Sequence, residues 1–578
     1  MPQIRHVHIK NFRAIKELVW RPRPGLNCLI GSGDSGKSTI LDAIEIALSA
    51  RQSYLFTDAD FFKLDTTNPI EIFVTIGALD DELKNIDTYG MYLRGFDDSS
   101  GEILDEPQVG QEVVLTLKLT VEEGLDADWL LYSQRTSADD LGRRLPWKHR
   151  ELIAPARLGT ALNHHLAWGN RSVLNKLSEE TFNVSSALAK IGRATRETFS
   201  NSEVAGVDEL LTRVKTIANE LGVPVGDLQA QLDVNSVSLS HGAISLHNDD
   251  KTPLRQLGTG SSRLLISGLQ KAATTSSILL VDEAEYGLEP YRITRLLNEL
   301  GSKEQEPEQQ VFITTHSPYV LRELQANQLH VLNKLSQAEQ VFNFGAPGSH
   351  RIHSLDGGEV EQSTLRVCAE AFFSRAVIVC EGKTEIGLIK GYDLYRQDQG
   401  EGSIQAHGVY WADGGGQTQF QRATIFRQLG YQTAILKDSD KSTEDITPTS
   451  EAKAIGINVF EWGSNFATEA ALFSSCPESV IPDLIGLAIE RKGRDSINSN
   501  IQKFSDNQFC LDNYLENFDD SMRSVLSVAA NKKSWFKDIQ PAETMARNII
   551  GPNYSDFDKL FTAPINALFT WATAIGGQ

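Results

Sequence analysis

The sequence has few cysteines and no closely spaced pair of them. Its five cysteines are scattered along 578 residues, and none forms a C-x-x-C pair. Such pairs are typical of zinc sites, and secreted domains use cysteines as disulfide frameworks. The pattern therefore favours reduced thiols in the cytoplasm and argues against a zinc site.

Long apolar runs are also missing. No stretch approaches the ~20 apolar residues that a membrane-spanning helix needs, and the basic segment 1–13 lacks the continuous apolar core of a signal peptide. We therefore expect no membrane association. Hydrophobic residues make up 40% and charged residues 23% of the chain, which indicates folded domains rather than long disorder. At about 150 residues per domain, the length predicts three or four units.

An excess of basic charge is absent, because the formal net charge is −21. This value at first argues against a nucleic-acid partner. However, metal-binding carboxylates add negative charge that cations offset, and a nucleic-acid groove needs only local basic patches. Two patches are candidates, although each alone is more often a solvated surface: Arg143, Arg144, Lys148 and Arg150, and Lys532, Lys533 and Lys537.

The stretch from Gly31 to Ser38 fits the pattern G-x-x-x-x-G-K-[ST] of a phosphate-binding loop. It lies between an apolar, strand-like run that ends at Ile30 and an apolar, helix-like run that begins at Ile40. In such loops main-chain N–H groups surround a phosphate, the lysine reaches the outer phosphates, and the serine binds magnesium. The residues predicted to bind ATP here, with Ser38 also a metal ligand, are Gly31, Asp34, Ser35, Gly36, Lys37, Ser38 and Thr39.

The segments around this loop predict a sheet and a helical insertion. Residues 4–9 alternate like a strand, and Ile70–Ala78 and Val113–Leu119 predict strands of an antiparallel region that covers the nucleotide. From residue 158 to 233 apolar residues recur every three or four positions, which predicts helices. These helices could pack on a second copy as a dimerisation arm or complete the local core.

Two later strands end in residues suited to ATP hydrolysis. The apolar run 277–281 ends in Asp282, predicted to hold magnesium, and Glu283, predicted to polarise the attacking water. The apolar run 311–315 ends in His316, predicted to contact the nucleotide. Since carboxyl ends of parallel strands meet at one edge of a sheet, these groups should converge on the phosphate loop.

A glycine-rich stretch before a helix, 256–263, precedes these strands. It resembles the signature loop of ABC-type ATPases, and the order of motifs resembles ATPases of the SMC and RecF kind. In that family the signature loop reaches nucleotide held by a second subunit. The resemblance therefore implies a dimer with Gly260 at the nucleotide.

The second half of the chain carries another set of strand-terminal acids. The apolar strand 376–380 ends in Glu381, with Glu385 four residues later, and the strand 433–436 leads to Asp438 and Asp440. Four neighbouring carboxylates cannot all stay ionised without cations, so we predict a divalent-metal site. Oxygen ligands favour Mg²⁺, Mn²⁺ or Ca²⁺ over zinc.

Further residues are candidates for the same site. Glu469 follows the strand 457–462 and is a third source of carboxylate, although an acid at a helix N-terminus also fits the helix dipole. Near the C-terminus, Lys533 or Lys537, in preference to Lys532, could neutralise charge on a scissile phosphate or its leaving oxygen. A plain surface cluster of lysines is the alternative.

The acids resemble those of the Toprim domain of topoisomerases, primases and nucleases, in the E-G-x-x-E form of the nuclease branch. An ABC/SMC-like ATPase followed by this module resembles the OLD (overcoming lysogenization defect) family of ATP-dependent endonucleases, which includes the nuclease subunit of the Gabija phage-defence system. The resemblance implies an α/β fold, with a helical insertion in the ATPase domain and a doubly wound Toprim domain. The implied units are an ATPase in two parts (1–157 and 236–345), a helical insertion (158–235), a bridge (346–370) and a Toprim nuclease domain with a helical C-terminal region (371–578).

The resemblance further implies a homodimer or dimer of dimers, metal-dependent cutting of double-stranded DNA, and regulation of the nuclease by bound nucleotide. A helicase partner is typical of some members only. The leading hypothesis is two-metal hydrolysis of DNA, with Glu381, Glu385, Asp438 and Asp440 as the metal-binding catalytic acids. One alternative is an ATP-driven repair or clamp protein whose Toprim domain binds DNA without cutting it. A topoisomerase would need a transesterifying tyrosine near the acids, and the sequence offers no convincing one.

Overall fold

The structure is a computed structural model that describes residues 1–33, 35–138, 142–158, 184–200, 207–220, 247–272, 277–334, 350–440, 442–463, 465–514 and 519–576. Three sheets organise these residues, two in the N-terminal half and one in the C-terminal half. The predicted α/β class is confirmed.

The first sheet is antiparallel and has seven strands in the order β2-β1-β4-β7-β5-β6, with β8 paired to β7. Apolar residues of β1 and β4 face the helix Lys37–Leu48, and a shift of register after Ile4 puts Val7 and Ile9 on that same buried side. The antiparallel region predicted around residues 70–78 and 113–119 is therefore present. Its strands are β1 Gln3–Phe12, β2 Ile15–Trp20, β4 Ile70–Gly77, β5 Leu93–Phe96, β6 Ile103–Leu104, β7 Glu112–Val121 and β8 Ala127–Tyr132.

The second sheet carries the nucleotide motifs. Its order is β13-β12-β3-β11-β10-β9, and its strands are parallel except for the edge strand β13. The central strands are fully buried, as their unbroken apolar sequences indicate. The strands are β3 Leu26–Ile30, β9 Ala156–Leu158, β10 Ile278–Val281, β11 Gln310–Thr314, β12 Leu329–Lys334 and β13 His350–Ser354.

Short helices cover both sheets of the N-terminal half. Their bounds are Lys37–Leu48, Ile86–Tyr89, Gln134–Ala138, Trp147–Ile153, Thr259–Ala272, Pro290–Glu299 and Pro318–Glu323. Within the predicted insertion, the described residues form two helices, Val184–Ser200 and Val207–Glu220. Apolar residues on these two helices are exposed, for example Leu210 at 59%. The rest of the insertion lies outside the described residues, and its role in dimerisation stays a prediction.

The third sheet is fully parallel, in the order β15-β14-β16-β17. Each of its central strands is buried on both faces: in β14, Ile378 packs into a core shared with the C-terminal helices, and Val379 into a core shared with the ATPase half. The Toprim sheet is thus built directly onto the ATPase half. The strands are β14 Ala376–Cys380, β15 Val409–Asp413, β16 Gln432–Lys437 and β17 Asn458–Glu461.

Ten α-helices surround this sheet in the described part of the C-terminal half. Their bounds are Glu359–Val367, Lys383–Asp398, Gln419–Gln428, Ser442–Ala454, Thr468–Ser475, Ile481–Lys492, Arg494–Phe504, Asp520–Lys532, Ile539–Met545 and Lys559–Gly576. Because β13 pairs with β12, the stretch predicted as a bridge, 346–370, begins its described part as an edge strand of the ATPase sheet. The helix Glu359–Val367 then leads towards β14.

No single helix in the described ranges is long and apolar enough to cross a membrane. The helices Thr468–Ser475 and Glu478–Lys492 reach the required length and composition only when taken together, and they are bent by 118° where they meet.

Candidate nucleotide and nuclease sites

The phosphate loop connects β3 to the helix Lys37–Leu48, as predicted. Gly36 has φ 95°, a left-handed conformation that favours glycine. A Cβ on Gly31 would lie 2.5 Å from the main-chain oxygen of Leu332, so the loop passes too close to β12 for a side chain there. Lys37 is buried, and its Nζ lies 3.2 Å from the main-chain oxygens of Gly31 and Ser32. Asp34 lies outside the described residues.

Asp282 meets the phosphate loop at the carboxyl edge of the parallel sheet. Its Oδ1 accepts hydrogen bonds from Ser38 Oγ at 3.1 Å and from Thr314 Oγ1 at 2.5 Å. Its Oδ2 lies 3.2 Å from Nη2 of Arg157, which also pairs with Asp42 and Glu45. Ser38 and Asp282, the two predicted magnesium ligands of this site, are therefore adjacent, and a protein cation already faces the acid.

Glu285, which sequence analysis missed, follows the predicted catalytic acid Glu283 by two residues and contacts the loop that carries His316. Glu283 is exposed, with φ 48°, and its N–H donates to Thr314 Oγ1 at 2.9 Å. Glu285 accepts a hydrogen bond from the main-chain N–H of His316 and another from Thr315 Oγ1, both at 2.6 Å. Glu285 therefore joins the loop after β10 to the loop after β11. In the sequence, its position two residues after the predicted acid Glu283 was the available signal.

The signature-like stretch contacts the same loops of its own chain. The helix Thr259–Ala272 begins next to Gly260, and buried Arg263 donates to the main-chain oxygen of Asp282 at 2.5 Å. Arg292 Nη1 donates to Ser261 Oγ at 3.0 Å. The contact of Gly260 with a nucleotide on a second subunit stays a prediction, as do the roles of Glu283 and His316.

In the Toprim sheet, the two central strands bring the first two predicted acids together. Glu381 follows β14 and Asp438 follows β16, and the two strands are parallel neighbours. The main-chain N–H of Asp438 donates to Glu381 Oε2 at 3.0 Å. Glu381 and Asp438 therefore lie together at one edge of the sheet, as predicted, because their strands are neighbours.

Thr468, which sequence analysis did not single out, joins two of the acids. Its Oγ1 lies 2.8 Å from Glu385 Oε1 and 2.8 Å from Asp438 Oδ1, and its N–H donates to the same Asp438 oxygen at 2.9 Å. The indole N–H of Trp462 donates to Thr468 Oγ1 at 2.9 Å. Since one hydroxyl proton serves only one acceptor at a time, the two carboxylates compete for it. The sequence signal was a threonine directly before Glu469 at a helix start.

The predicted acids differ in how far they are withdrawn from solvent. Glu385 and Glu469 are buried, Glu381 and Asp438 are half-buried, and Asp440 is exposed. Both oxygens of Glu385 are engaged, because Oε2 also accepts from the N–H of Gly382 at 2.8 Å. Glu385 therefore stabilises the start of the helix Lys383–Asp398, and Asp440 is the acid most open to solvent.

Burial and the charges of neighbouring acids raise the pKa of three of these carboxyls, Asp438, Glu385 and Glu469. For Asp438 the main cause of the raised pKa is burial, followed by the charges of Glu385, Glu381 and Asp440. Burial likewise raises the pKa of Glu385, and the charge of Glu469 adds to the effect. The pKa of Glu469 is raised by burial and by Asp438 and Asp440, while the positive charge of Lys537 opposes the increase.

Lys537 is therefore the predicted lysine whose charge reaches the acid cluster. It is exposed and follows the buried Trp535 and Phe536, which pack against Phe473 of the helix that carries Glu469. Lys533 lies just beyond the end of the helix Asp520–Lys532, and it is also exposed. The catalytic role of either lysine stays a prediction.

The donor set fits a hard divalent cation. Several carboxylates lie close together with raised pKa values, and Mg²⁺ and related ions prefer such oxygen ligands. Among the described residues, however, no three His, Cys, Asp or Glu side chains are grouped closely enough to hold one ion. Glu381, Asp438 and Asp440 would hold the metal, because they are less buried than Glu385 and Glu469.

Comparisons with known proteins match both halves. Residues 26–322 match the family described as "AAA domain, putative AbiEii toxin, Type IV TA system", and residues 372–440 match "Overcoming lysogenization defect protein-like, TOPRIM domain". The first match covers more than half of the chain, and the second contains β14, β16 and the acids after them. No curated protein matches the chain.

Among solved structures, the chain is similar to SMC head domains. A head bound to the C-terminal winged-helix domain of ScpA is 14% identical, with a TM-score of 0.31, over 61% of this chain and 98% of that one. A Pyrococcus furiosus head with the C-terminal domain of ScpA is 13% identical, with a TM-score of 0.32, over 61% and 96%. The Thermotoga maritima head is 13% identical, with a TM-score of 0.29, over 61% and 99%.

These TM-scores are low, so the assignment rests on the two family matches together with the motifs and sheets described above. The first match supplies a nucleotide-binding ATPase domain, and the second a Toprim domain, a type that usually binds divalent metal and suggests nuclease-type function. This chain is thus an ATPase–Toprim protein of the OLD family.

Proposed function

We propose that this protein is a metal-dependent DNA endonuclease whose activity is controlled by nucleotide bound to its ATPase domain. The observation that carries the proposal is the convergence of Glu381, Glu385 and Asp438, linked through a main-chain N–H and the hydroxyl of Thr468. Carboxylates held together in this way repel one another, and a divalent cation relieves that repulsion.

In this reaction the half-buried and exposed acids face the substrate. Glu381, Asp438 and Asp440 would bind the divalent ions, which when bound supply an activated water and stabilise charge on the phosphate. Lys537 would offset negative charge on the scissile phosphate or its leaving oxygen. Glu385 and Thr468 would hold Asp438 in position.

Contacts between the two halves support nucleotide control. The ring of His316, in the loop after β11, lies 6.4 Å from the ring of Phe373, which precedes β14 by three residues. Arg322 of the next helix pairs with Glu370 and donates to the main-chain oxygen of Arg366 at 3.3 Å. A shift of the loop after β11 would therefore displace the segment 366–373, which leads into the Toprim sheet.

We further propose the setting that the family resemblance implies. The protein would act in the cytoplasm as a homodimer or dimer of dimers on double-stranded DNA, in defence against phage, with a helicase as a possible partner in some systems. The helices Val184–Ser200 and Val207–Glu220, with their exposed apolar residues, support a dimerisation arm.

Plasmid cleavage tests the nuclease proposal. Glu381→Ala and Asp440→Ala should abolish nicking and cutting in Mg²⁺ or Mn²⁺ while ATP binding stays normal. The matched control is Asp483→Ala, which removes an exposed acid from the helix Ile481–Lys492 of the same half. Retained cutting by either active-site variant would contradict the proposal.

The second candidate is a DNA clamp or repair protein whose Toprim domain binds without cutting. It is favoured by one observation: the described acids are not grouped closely enough to hold a metal. Calorimetric titration of Mn²⁺ distinguishes the two candidates. A nuclease should bind Mn²⁺ in a manner lost in Glu381→Ala, whereas a clamp should bind plasmid but neither bind Mn²⁺ there nor cut.

A further inference from the structure

The outer face of the antiparallel sheet carries a groove that the nucleotide and nuclease sites do not use. One cavity of about 460 Å³ lies on this face, lined by side chains from β1, β4, β5, β7 and β8. A second cavity of about 660 Å³ adjoins it and shares Lys10 as a wall. Together they form an elongated depression on the side of the sheet opposite the helix Lys37–Leu48.

Aromatic rings line the first cavity. Phe73 is one of its lining residues, with the His8 ring at 5.7 Å in a stacked arrangement and the Tyr132 ring at 5.1 Å edge-on. All three side chains are only partly buried, although the residues that alternate with them along the strands are in the core. Large rings on the solvent side of a sheet do not serve the core, and they offer surfaces on which a planar ligand can stack.

Cations surround these rings. The Lys118 ammonium lies 5.2 Å from the centre of the Phe73 ring, and the Arg94 guanidinium lies 5.5 Å from that of Tyr132. Arg94 is only 7% exposed, and no described residue accepts a hydrogen bond from its Nε. Burial, followed by the positive charges of His8, Arg21 and Arg94, lowers the pKa of His6 to about 4. The basic side chains of Lys10, Arg21 and Arg94 thus line this cavity, on a protein whose net charge is −21.

Acids at the edge of the groove offset part of this charge. Glu71 pairs with Lys118 at 2.7 Å and Lys10 at 3.5 Å, Glu17 lies 3.2 Å from His8, and Asp105 lies 3.8 Å from Arg94. Glu102 also lines the cavity. Among the described residues no acid forms an ion pair with Arg21, whose Nη1 donates to the main-chain oxygen of Ser100 at 2.5 Å, so the Arg21 end is where an anion is best accommodated.

We propose that this groove binds single-stranded nucleic acid, with bases stacked on Phe73 and Tyr132 and phosphates contacting Arg21, Arg94 and Lys10. Aromatic platforms beside a basic groove are the chemistry by which proteins hold unpaired strands. Duplex DNA keeps its bases inside the helix, so it presents only phosphates to the rim. The site is independent of the nuclease proposal, because it uses no residue of the Toprim acids.

The test is binding of a fluorescein-labelled 12-nucleotide oligo-dT to the full-length protein, measured by fluorescence anisotropy in EDTA so that metal-dependent cutting does not occur. The double variant Phe73→Leu with Tyr132→Leu keeps apolar bulk in the strands but removes both rings. Since stacking contributes about 1–3 kcal/mol per base, we expect the dissociation constant to rise by at least about tenfold. The matched control is Phe504→Leu. The Phe504 ring also has a lysine ammonium 5.9 Å from its centre, but it lies in the C-terminal half, outside the groove.

A second double variant tests the proposal even if Phe73→Leu with Tyr132→Leu does not fold. Lys10→Gln with Arg21→Gln leaves the rings intact and should lower the salt dependence of binding. Photocrosslinking of a 4-thiothymidine strand should then label peptides that contain Phe73 or Tyr132. The proposal would be overturned if both double variants kept the wild-type affinity for oligo-dT, or if the crosslinks labelled only other peptides. It would also be overturned if the protein bound duplex and single-stranded DNA equally tightly and the double variants lost both affinities together.

Discussion

The two carboxylate sites of this protein share one architecture and differ in electrostatics. Both place acids at the carboxyl ends of parallel strands, the nucleotide site after β10 alone and the Toprim site after the neighbouring strands β14 and β16. At the nucleotide site, however, Asp282 already has Arg157 3.2 Å away and two hydroxyl donors. At the Toprim site, Asp438 faces other carboxylates, and its pKa is raised. Acids therefore lie at the sheet edge in both sites. Whether they need an added cation depends on the charge of the neighbouring side chains.

The difference in charge also separates what each site should bind. Lys37, in the phosphate loop, suits the anionic phosphates of a nucleotide. The Toprim acids instead repel phosphate until cations neutralise them, and Lys537 is a positive charge that acts on Glu469. The predictions below test this contrast.

The largest effect should come from removing the cation of the nucleotide site. Lys37→Ala should weaken ATP binding by about 100-fold, because charged hydrogen bonds to phosphate contribute about 1.5–3 kcal/mol each. Equilibrium binding of a fluorescent ATP analogue measures the loss. Lys84→Ala, an exposed lysine on the same half, is the control. Plasmid cleavage without ATP should be unchanged, and equal loss of cleavage would show that the two sites are not separable.

The next effect should come from the hydroxyl that joins two Toprim acids. Thr468→Val removes this hydroxyl but keeps the N–H that donates to Asp438, and we expect about a tenfold loss of Mn²⁺ affinity because Asp438 and Glu385 lose their shared donor. Calorimetry gives the affinity. Thr468→Ser should restore it, and Ser474→Ala on the exposed side of the same helix should have no effect. Wild-type affinity in the valine variant would contradict a positioning role.

A smaller effect should follow from cutting the contact between the halves. His316→Ala removes the ring beside Phe373, and we expect the change in plasmid cleavage caused by ATP to shrink by about two- to tenfold. Titrating ATP against initial cleavage rate measures it, with His407→Ala as a control outside this contact. If ATP alters cleavage equally in both variants, the His316–Phe373 contact does not transmit the nucleotide state.

The smallest effect is on stability without metal. The raised pKa of Asp438 means that its contribution to stability is present below the ordinary carboxyl range near pH 4, and it is lost as pH rises through the raised value. In EDTA, Asp438→Asn should therefore raise the Tm by a few degrees at pH 8.5 and by less at pH 5.

Asp282→Asn sharpens the comparison in the same experiment. It removes one of the three acids that pair with Arg157, so it should not raise the Tm at either pH. A rise in Tm for both variants would show that the two sites are electrostatically alike.

Local patterns were sufficient to predict most of the site residues. The apolar runs before Gly31, Asp282, Glu381 and Asp438 form buried parallel strands, and each motif lies at a strand end because buried strands must stop where polar groups begin. Arg157 could not be predicted, because it acts through a residue 125 positions away and belongs to no local pattern. Thr468 had a local signal at a helix start, but its partners Asp438 and Glu385 lie 30 and 83 positions away, so its role could not be predicted.

The sequence by itself determined the order of elements, the two sets of strand-terminal acids and the phosphate loop, since these depend on residues close together in the chain. Only the tertiary structure decided that the Toprim sheet packs directly on the ATPase half, that β13 extends the ATPase sheet, and that cations and rings gather on the outer antiparallel face. The reason is that the periodicity of a strand's own sequence determines which of its sides is apolar. The order and packing of the strands determine which distant side chains each side contacts.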